Sequence, residues 1–185
     1  MYNIPAVIFA GGKSSRMGED KALLPFGGFE TLSEFQHAKL KRYFKYIYLS
    51  SKKNKFNFQC NIIYDTQDTS SPLVALLSIF ETLDAENIFI LSVDTPLIEN
   101  NVFQALLEAH HTTVDATIAK SPKGIEPLCG IYNRSIVPTI QQALQKDMHK
   151  LKNLLSTANT QTIDFQDSTP FTNLNYMHEY QAFTS

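Results

Sequence analysis

Short apolar runs alternate with stretches of helical spacing over the first two-thirds of the chain. The runs are continuous, which is typical of strands buried on both faces of a sheet. Because predicted strands and helices alternate, we expect right-handed βαβ units. We therefore predict a three-layer α/β/α fold with a mainly parallel sheet and helices on both of its faces. The predicted strands are Ile4–Ala10, Tyr46–Ser50, Asn61–Asp65 and Ile88–Val93. One helix is predicted from near Thr31 to about Arg42 and a second after Pro72. A third is predicted near Asn100, which would be its cap.

The pattern changes after residue 115. Two further predicted strands, Ala116–Lys120 and Leu128–Tyr132, are separated by a short segment that holds Pro122 and Gly124. Such a segment favours a hairpin-like turn, so a small part of the sheet is predicted to be antiparallel. We find no repeat or linker and predict one domain over residues 1–185. The remaining predicted elements are helices over 136–144 and Met148–Ser156, a late strand at Thr162–Phe165 and a final helical turn at His178–Phe183.

Composition narrows the class of protein. Hydrophobic residues make up 43% of the chain, charged residues 18%, and the formal net charge is −2. This balance fits a globular domain and gives no basic excess that would point to nucleic acid. No apolar run approaches the ~20 residues that span a bilayer, and the start of the chain lacks the basic region of a signal peptide. We therefore expect a cytoplasmic protein with no membrane partner, in which Cys60 and Cys129 are free thiols.

The strongest candidate site follows the first strand. Phe9 and Ala10 end the apolar run, and Gly11 and Gly12 then offer bare backbone N–H groups that a phosphate could approach. Positive charge surrounds this point, because Lys13, Arg16 and Lys21 follow closely. The spacing matches neither the Walker A loop nor the Gly-x-Gly-x-x-Gly dinucleotide fingerprint. We interpret the stretch as a strand that ends in a polyphosphate cradle.

Polar residues also follow the other predicted strands. Ser50 ends the second strand, Asp65 ends the third, and Asp94 follows the fully apolar fourth strand. Ligands of doubly wound sheets bind beyond the carboxyl ends of the strands, so these side chains should face the same crevice as the glycine loop. A carboxylate at such a point suits Mg²⁺, which takes one or two carboxylates and shares phosphate oxygens of the substrate. Each of these acids and hydroxyls could also be an ordinary turn residue.

The loop resembles a known signature. Residues 11–21 read Gly-Gly-x-Ser-x-Arg-Met-Gly-x-Asp-Lys, and this is similar to the loop of nucleotidyltransferases with a Rossmann-like fold. The continuation Ala22-Leu23-Leu24 resembles the molybdenum cofactor guanylyltransferases in particular. The resemblance implies an enzyme that transfers GMP from GTP to molybdenum-bound molybdopterin and releases pyrophosphate. It also implies Mg²⁺ as cofactor and transient contacts with cofactor-biosynthesis proteins or molybdoenzymes.

The resemblance assigns roles to individual residues. Arg16, Lys21 and Asp94 would be catalytic, with Asp94 as the metal ligand, because Val93–Leu97 resembles a metal-binding Cys-Asp-x-Pro segment. The nucleotide would contact Phe9, Ala10, Gly11, Gly12, Lys21, Ser50, Asp65 and Asp94.

A second set of matching residues belongs to the acceptor. Asn173 and Asn175 lie in a segment similar to the family's Asn-x-Asn motif, which would hold the pterin, and Glu126–Tyr132 resembles a strand on the acceptor side. The chain departs from the family where Ser71 and Val74-Ala75 flank Pro72-Leu73, where Val93 replaces a common cysteine, and where Tyr176-Met177 replaces Thr-Pro.

Three alternatives stay open at this point: a related transferase that uses CTP or a sugar phosphate, a nucleotide-binding module without activity, and a structural protein. The last would leave the glycine–cation loop unexplained, and simple binding would not need both Lys21 and Asp94.

Overall fold

The computed structural model describes residues 1–11, 20–67, 69 and 71–174. A seven-stranded sheet lies at its centre. Its strands are β1 (Ala6–Phe9), β2 (Ile47–Ser51), β3 (Asn61–Tyr64), β4 (Asn87–Ser92), β5 (Ala116–Ser121), β6 (Gly124–Asn133) and β7 (Thr160–Asp164). The helices are α1 (Leu32–Leu40), α2 (Pro72–Thr82), α3 (Asn100–Ala109), α4 (Val137–Gln145) and α5 (Leu151–Thr157), with 3-10 turns at Lys21–Leu23, Arg134–Ile136 and Thr169–Phe171.

The sheet is mixed but mostly parallel, in the order β3-β2-β1-β4-β6-β5-β7. Strand β6 pairs antiparallel with both β4 and β5, whereas β5 pairs parallel with β7. The predicted α/β fold with an antiparallel portion is confirmed. Because β6 alone runs against its neighbours, its first half arrives at the edge of the sheet where the parallel strands end.

Two apolar layers cover the sheet. On one face, Ile8 and Phe89 pack with Leu40 of α1 and Phe103 of α3. On the other face, Val7 and Ile90 join a cluster that includes residues of α2, α4 and α5. Both faces of β1 and β4 are therefore buried, which is why their sequences are continuous apolar runs rather than alternating ones.

Side-chain caps mark the start of two of the five helices described. The hydroxyl of Thr31 accepts from Glu34 N at the start of α1, and the hydroxyl of Ser71 accepts from Val74 N at the start of α2. The cap expected at Asn100 is wrong, because α3 begins at that residue and Glu99 precedes it without a side-chain cap bond. The turn expected at His178–Phe183 lies outside the described residues. Among the residues that the structure describes, no helix is long and apolar enough to cross a membrane.

The switch in strand order creates the crevice. From β1 the chain passes to β2 on one side and only later to β4 on the other. At the end of β1, Phe9 pairs with Ser50 of β2 and with Ser92 of β4. The helices on either side of such a point diverge and leave room beyond the strand ends. The candidate site lies there.

Candidate functional site

A cleft of about 590 Å³ lies beyond the carboxyl ends of β1, β2 and β4. The structure brings together seven of the residues that the sequence singled out, although they are as far apart in the chain as residues 9 and 94. These residues are Phe9, Ala10, Gly11, Lys21, Ser50, Asp65 and Asp94, and all of them line the cleft. Gly12 and Arg16, which were also predicted to belong to the site, lie outside the described residues.

Asp94 is held in a defined orientation at the end of β4. Its Oδ1 accepts a hydrogen bond of 2.6 Å from the hydroxyl of Ser92, and its Oδ2 lies 3.5 Å from Nζ of Lys21. Both charged side chains are mostly buried, with 22% of the carboxylate side chain and 17% of the lysine side chain exposed. A carboxylate and an ammonium group therefore face the same end of the cleft.

Helix α1 supports the chain on both sides of Asp94. Gln36 donates through Nε2 to the carbonyl oxygens of Ser92 and Val93, at 3.2 and 3.3 Å. One helical turn later, Lys39 donates through Nζ to the carbonyl oxygens of Pro96 and Ile98, at 2.8 and 2.9 Å. Burial lowers the pKa of Lys39 to about 7.

The same helix also contacts the segment that carries Lys21. The hydroxyl of Ser33 donates to the carbonyl of Ala22 at 2.7 Å, and Leu32 N donates to Leu24 O at 2.7 Å. Helix α1 is thus bonded to both of the elements that present Lys21 and Asp94. The distance between these two charged groups depends on how α1 packs.

Ser50 and Asp65 line the same cleft as Asp94. Ser50 is almost fully buried, and its carbonyl accepts from Ala10 N at 3.1 Å. Burial raises the pKa of Asp65, while the nearby Lys52 acts in the opposite direction. Lys52 lines the cleft as well, although no role was predicted for it.

Sequence reasoning missed several supporting residues. Lys55 donates to Ala10 O at 2.8 Å and forms an ion pair with Asp20, and Ser92 orients Asp94. The available signals were weak: Lys55 ends a basic loop after a strand, and Ser92 is a polar residue within an apolar run. Neither pattern indicates a partner that is distant in the sequence.

A second cavity of about 390 Å³ adjoins the first, and Asp94 lies in the lining of both. Most of its other lining residues come from the last third of the chain and include Glu126, Leu128 and Asn173. The backbone holds this region against the end of β4, since Leu174 N donates to Asp94 O at 2.9 Å. Asn173 therefore lines this second cavity, while Asn175, which was predicted to act with it, is outside the described residues.

The model of the MobA-like NTP transferase domain family matches residues 6–162 of the chain. The chain belongs to this family. It is therefore a nucleotidyltransferase, as the signature loop predicted, and its mixed sheet is the Rossmann-like sheet of that family.

Named relatives cover the whole chain. The molybdenum cofactor guanylyltransferase of Campylobacter jejuni (serotype O:6) is 38% identical over 187 residues, which cover 100% of this chain and 97% of that protein. The protein of the same name from Helicobacter pylori strain G27 is 32% identical over 97% of this chain and 90% of its own length. The crystal structure of molybdopterin-guanine dinucleotide biosynthesis protein A from Archaeoglobus fulgidus superposes with a TM-score of 0.83. It covers 98% of this chain and 97% of its own, and at 17% identity it supports the fold.

Proposed function

We propose that this MobA-like transferase joins GMP from GTP to the phosphate of molybdenum-bound molybdopterin, with release of pyrophosphate. The relatives from C. jejuni and H. pylori are named for guanylyl transfer to the molybdenum cofactor. One observation in the structure carries the proposal. Asp94, with Lys21 beside it, lines both a cleft that includes Gly11 and a second cavity that includes Asn173.

The chemistry that this arrangement suits is a substitution at phosphorus. A phosphate oxygen of the acceptor forms a bond to the α-phosphorus of GTP, and the bond from that phosphorus to the oxygen bridging to the β-phosphate breaks. The attacking oxygen is already anionic, so the site needs no strong general base. Catalysis then rests on positioning and on charge stabilisation. Lys21 would offset negative charge on the α-phosphate and the departing pyrophosphate, together with Arg16.

The donor set near Asp94 fits Mg²⁺. The residues of the described part of the chain include no cluster of three or more histidine, cysteine or acidic side chains that could hold a metal alone. Mg²⁺ does not require one, because it is commonly bound by one or two carboxylates together with substrate phosphates and water. Asp94 would hold the ion, which when bound supplies positive charge to the phosphate oxygens. The hydroxyl of Ser92 orients one carboxylate oxygen and leaves the other directed at Lys21.

The first cavity suits the nucleotide. A Cβ added at Gly11 would meet Ser50 O at 3.8 Å and Ser51 Cα at 3.9 Å, which are ordinary contacts. The described neighbours of Gly11 therefore do not themselves require glycine there. A backbone that must remain accessible to phosphate would require it. Phe9, Ala10, Gly12, Ser50 and Asp65 complete the proposed nucleotide site.

The second cavity suits the acceptor. Asn173 offers both a donor and an acceptor, as the edge of a pterin ring requires, and we assign Asn175 to the same task. Strand β6 enters this cavity through Glu126 and Leu128. The cytoplasmic location and the contacts with cofactor-biosynthesis proteins or molybdoenzymes remain predictions.

The test is pyrophosphate release from each of the four nucleoside triphosphates, with and without molybdenum-bound molybdopterin. We expect release to require GTP and the acceptor together. A preference for CTP would indicate a cytidylyltransferase, and turnover with a sugar phosphate alone would refute the acceptor assignment. Binding of a nucleotide without turnover under any condition would support the non-catalytic alternative.

A matched pair of variants tests the division of the site. Asn173→Ala should raise the KM for the acceptor about tenfold and leave the KM for GTP within twofold, because it removes a contact present in both ground state and transition state. Asn61→Ala, at an exposed position at the start of β3, should change neither constant. An equal rise in both KM values for Asn173→Ala would contradict the separation of nucleotide and acceptor.

A further inference from the structure

One lysine of the loop after β2 bonds to residues next to the cleft residues Gly11 and Lys21. Nζ of Lys55 donates to the carbonyl of Ala10 at 2.8 Å and pairs with Oδ2 of Asp20. Only 10% of the Lys55 side chain is exposed. Ala10 directly precedes Gly11, and Asp20 directly precedes Lys21, so a single ammonium group is bonded to the two neighbours of these site residues.

Asp20 links Lys55 to the turn that carries Lys21. Its second oxygen, Oδ1, accepts from Ala22 N at 3.1 Å and so caps the 3-10 turn Lys21–Leu23. Its carbonyl accepts from Leu23 N at 2.9 Å in the same turn. The two oxygens of one carboxylate are thus divided between Lys55 and the turn.

We propose that Lys55 is a positioning residue for nucleotidyl transfer. It acts through Asp20 on the turn that presents Lys21, and through the carbonyl of Ala10 on the strand end that presents Gly11. Lys55 does not line the cleft, whereas Lys52 of the same loop does, so the two lysines have different tasks. The inference rests on the proposed nucleotide role of the first cavity, but it does not depend on which base is used.

The physical reason is the burial of the contact. A buried or half-buried ion pair fixes the geometry of its partners only while both are present, and removal of one partner leaves the other charge poorly compensated. Without Lys55, the carboxylate of Asp20 would lose its cation and could turn towards water. The cap on the turn that bears Lys21 would then be weakened.

The experiment compares Lys55→Met with Lys53→Met. Lys53 is exposed in the same loop, so its replacement removes the same charge without these contacts. Wild type is assayed first, and the variants are assayed with whichever nucleotide and acceptor it turns over, so that an error in the assigned substrates is seen separately. We expect Lys55→Met to lower kcat/KM at least tenfold, Lys53→Met to stay within twofold, and Lys55→Arg to recover most of the activity.

A double-mutant cycle with Asp20→Asn identifies the route. If Lys55 acts through Asp20, the two losses will not multiply, and the double variant will resemble the worse single variant. A merely structural role would lower the melting temperature and leave kcat/KM of the folded enzyme unchanged. That result, or losses that multiply in the double variant, would overturn the proposal. Should Lys55→Met fail to fold, the cycle is run with Lys55→Gln under the same criteria.

Discussion

Replacement of Asp94 by asparagine tests the centre of the site with the smallest change of shape. The amide oxygen can still accept from the hydroxyl of Ser92, and the bond from Leu174 N reaches the main-chain carbonyl, which the substitution keeps. The lost ion pair with Lys21 has an N–O distance of 3.5 Å and is partly open to water. Such pairs contribute up to about 1 kcal/mol, so we expect Asp94→Asn to fold with a nearly unchanged melting temperature.

The expected catalytic loss is much larger. A neutral amide is a poor ligand for Mg²⁺, and a preorganised group that stabilises transition-state charge is typically worth about 3 kcal/mol, or 100- to 1,000-fold in rate. The assay is pyrophosphate release as a function of Mg²⁺ concentration. We expect a rate at least 100-fold below wild type at millimolar Mg²⁺, with partial recovery as the concentration rises.

A second carboxylate provides the control. Asp164 pairs with Lys120 on the surface at 3.0 Å, is largely exposed and lines neither cavity, so Asp164→Asn removes the same charge outside the proposed site. That variant should keep the wild-type rate. If Asp94→Asn also turned over at the wild-type rate at ordinary Mg²⁺ concentration, Asp94 would not be the metal ligand and the proposed mechanism would fail.

Two further predictions concern Lys21 and His37. Lys21→Ala should fold and lose at least 100-fold in kcat/KM, because a fixed positive charge beside the reacting phosphates is removed; a loss of less than threefold would remove Lys21 from the site. Burial, with a contribution from Lys41, lowers the pKa of His37 from 6.5 to about 4, so the unfolded chain binds a proton in this pH window and the folded chain does not. The free energy of unfolding should therefore fall by up to about 3 kcal/mol between pH 6.5 and pH 4, and denaturant titrations should show a smaller fall for His37→Gln than for wild type.

The parts of the site that the sequence predicted lie at strand ends. Apolar runs marked β1 and β4, and the abrupt change to Gly11 or Asp94 marked where each ended. Because parallel strands end at one edge, their polar neighbours had to meet there. The topology rule thus placed Asp65 and Ser50 in the cleft as well, although their own patterns were weak.

The supporting contacts could not be predicted in this way. Gln36 and Lys39 act on carbonyl groups more than fifty positions away, and the bonds depend on how α1 packs against the end of β4. A buried glutamine or lysine on a helix gives no sign of its partner. The candidate site residues could therefore be chosen from the sequence, while the contacts that align them depend on tertiary packing.

The start of strand β6 could not be predicted from its apolar pattern. The strand was predicted at Leu128–Tyr132, but it begins at Gly124. The prediction missed the first half because Glu126 and Pro127 interrupt the apolar pattern there. Proline is tolerated there, since the pairing with β4 extends only from Asn133 to Cys129 and the pairing with β5 shifts register between Ile118 and Lys120. The irregular half of this strand is the half that lines the second cavity.

The bond between Leu174 and Asp94 bears on where the folding unit ends. The family match stops at residue 162, yet Phe171 and Leu174 are almost fully buried in the same apolar cluster as Phe89 and Leu91 of β4. A chain cut at residue 162 would expose that surface and would also free the main chain at Asp94. The segment after β7 is therefore an integral layer of the catalytic core, and any shortened version of this enzyme must keep it through Leu174.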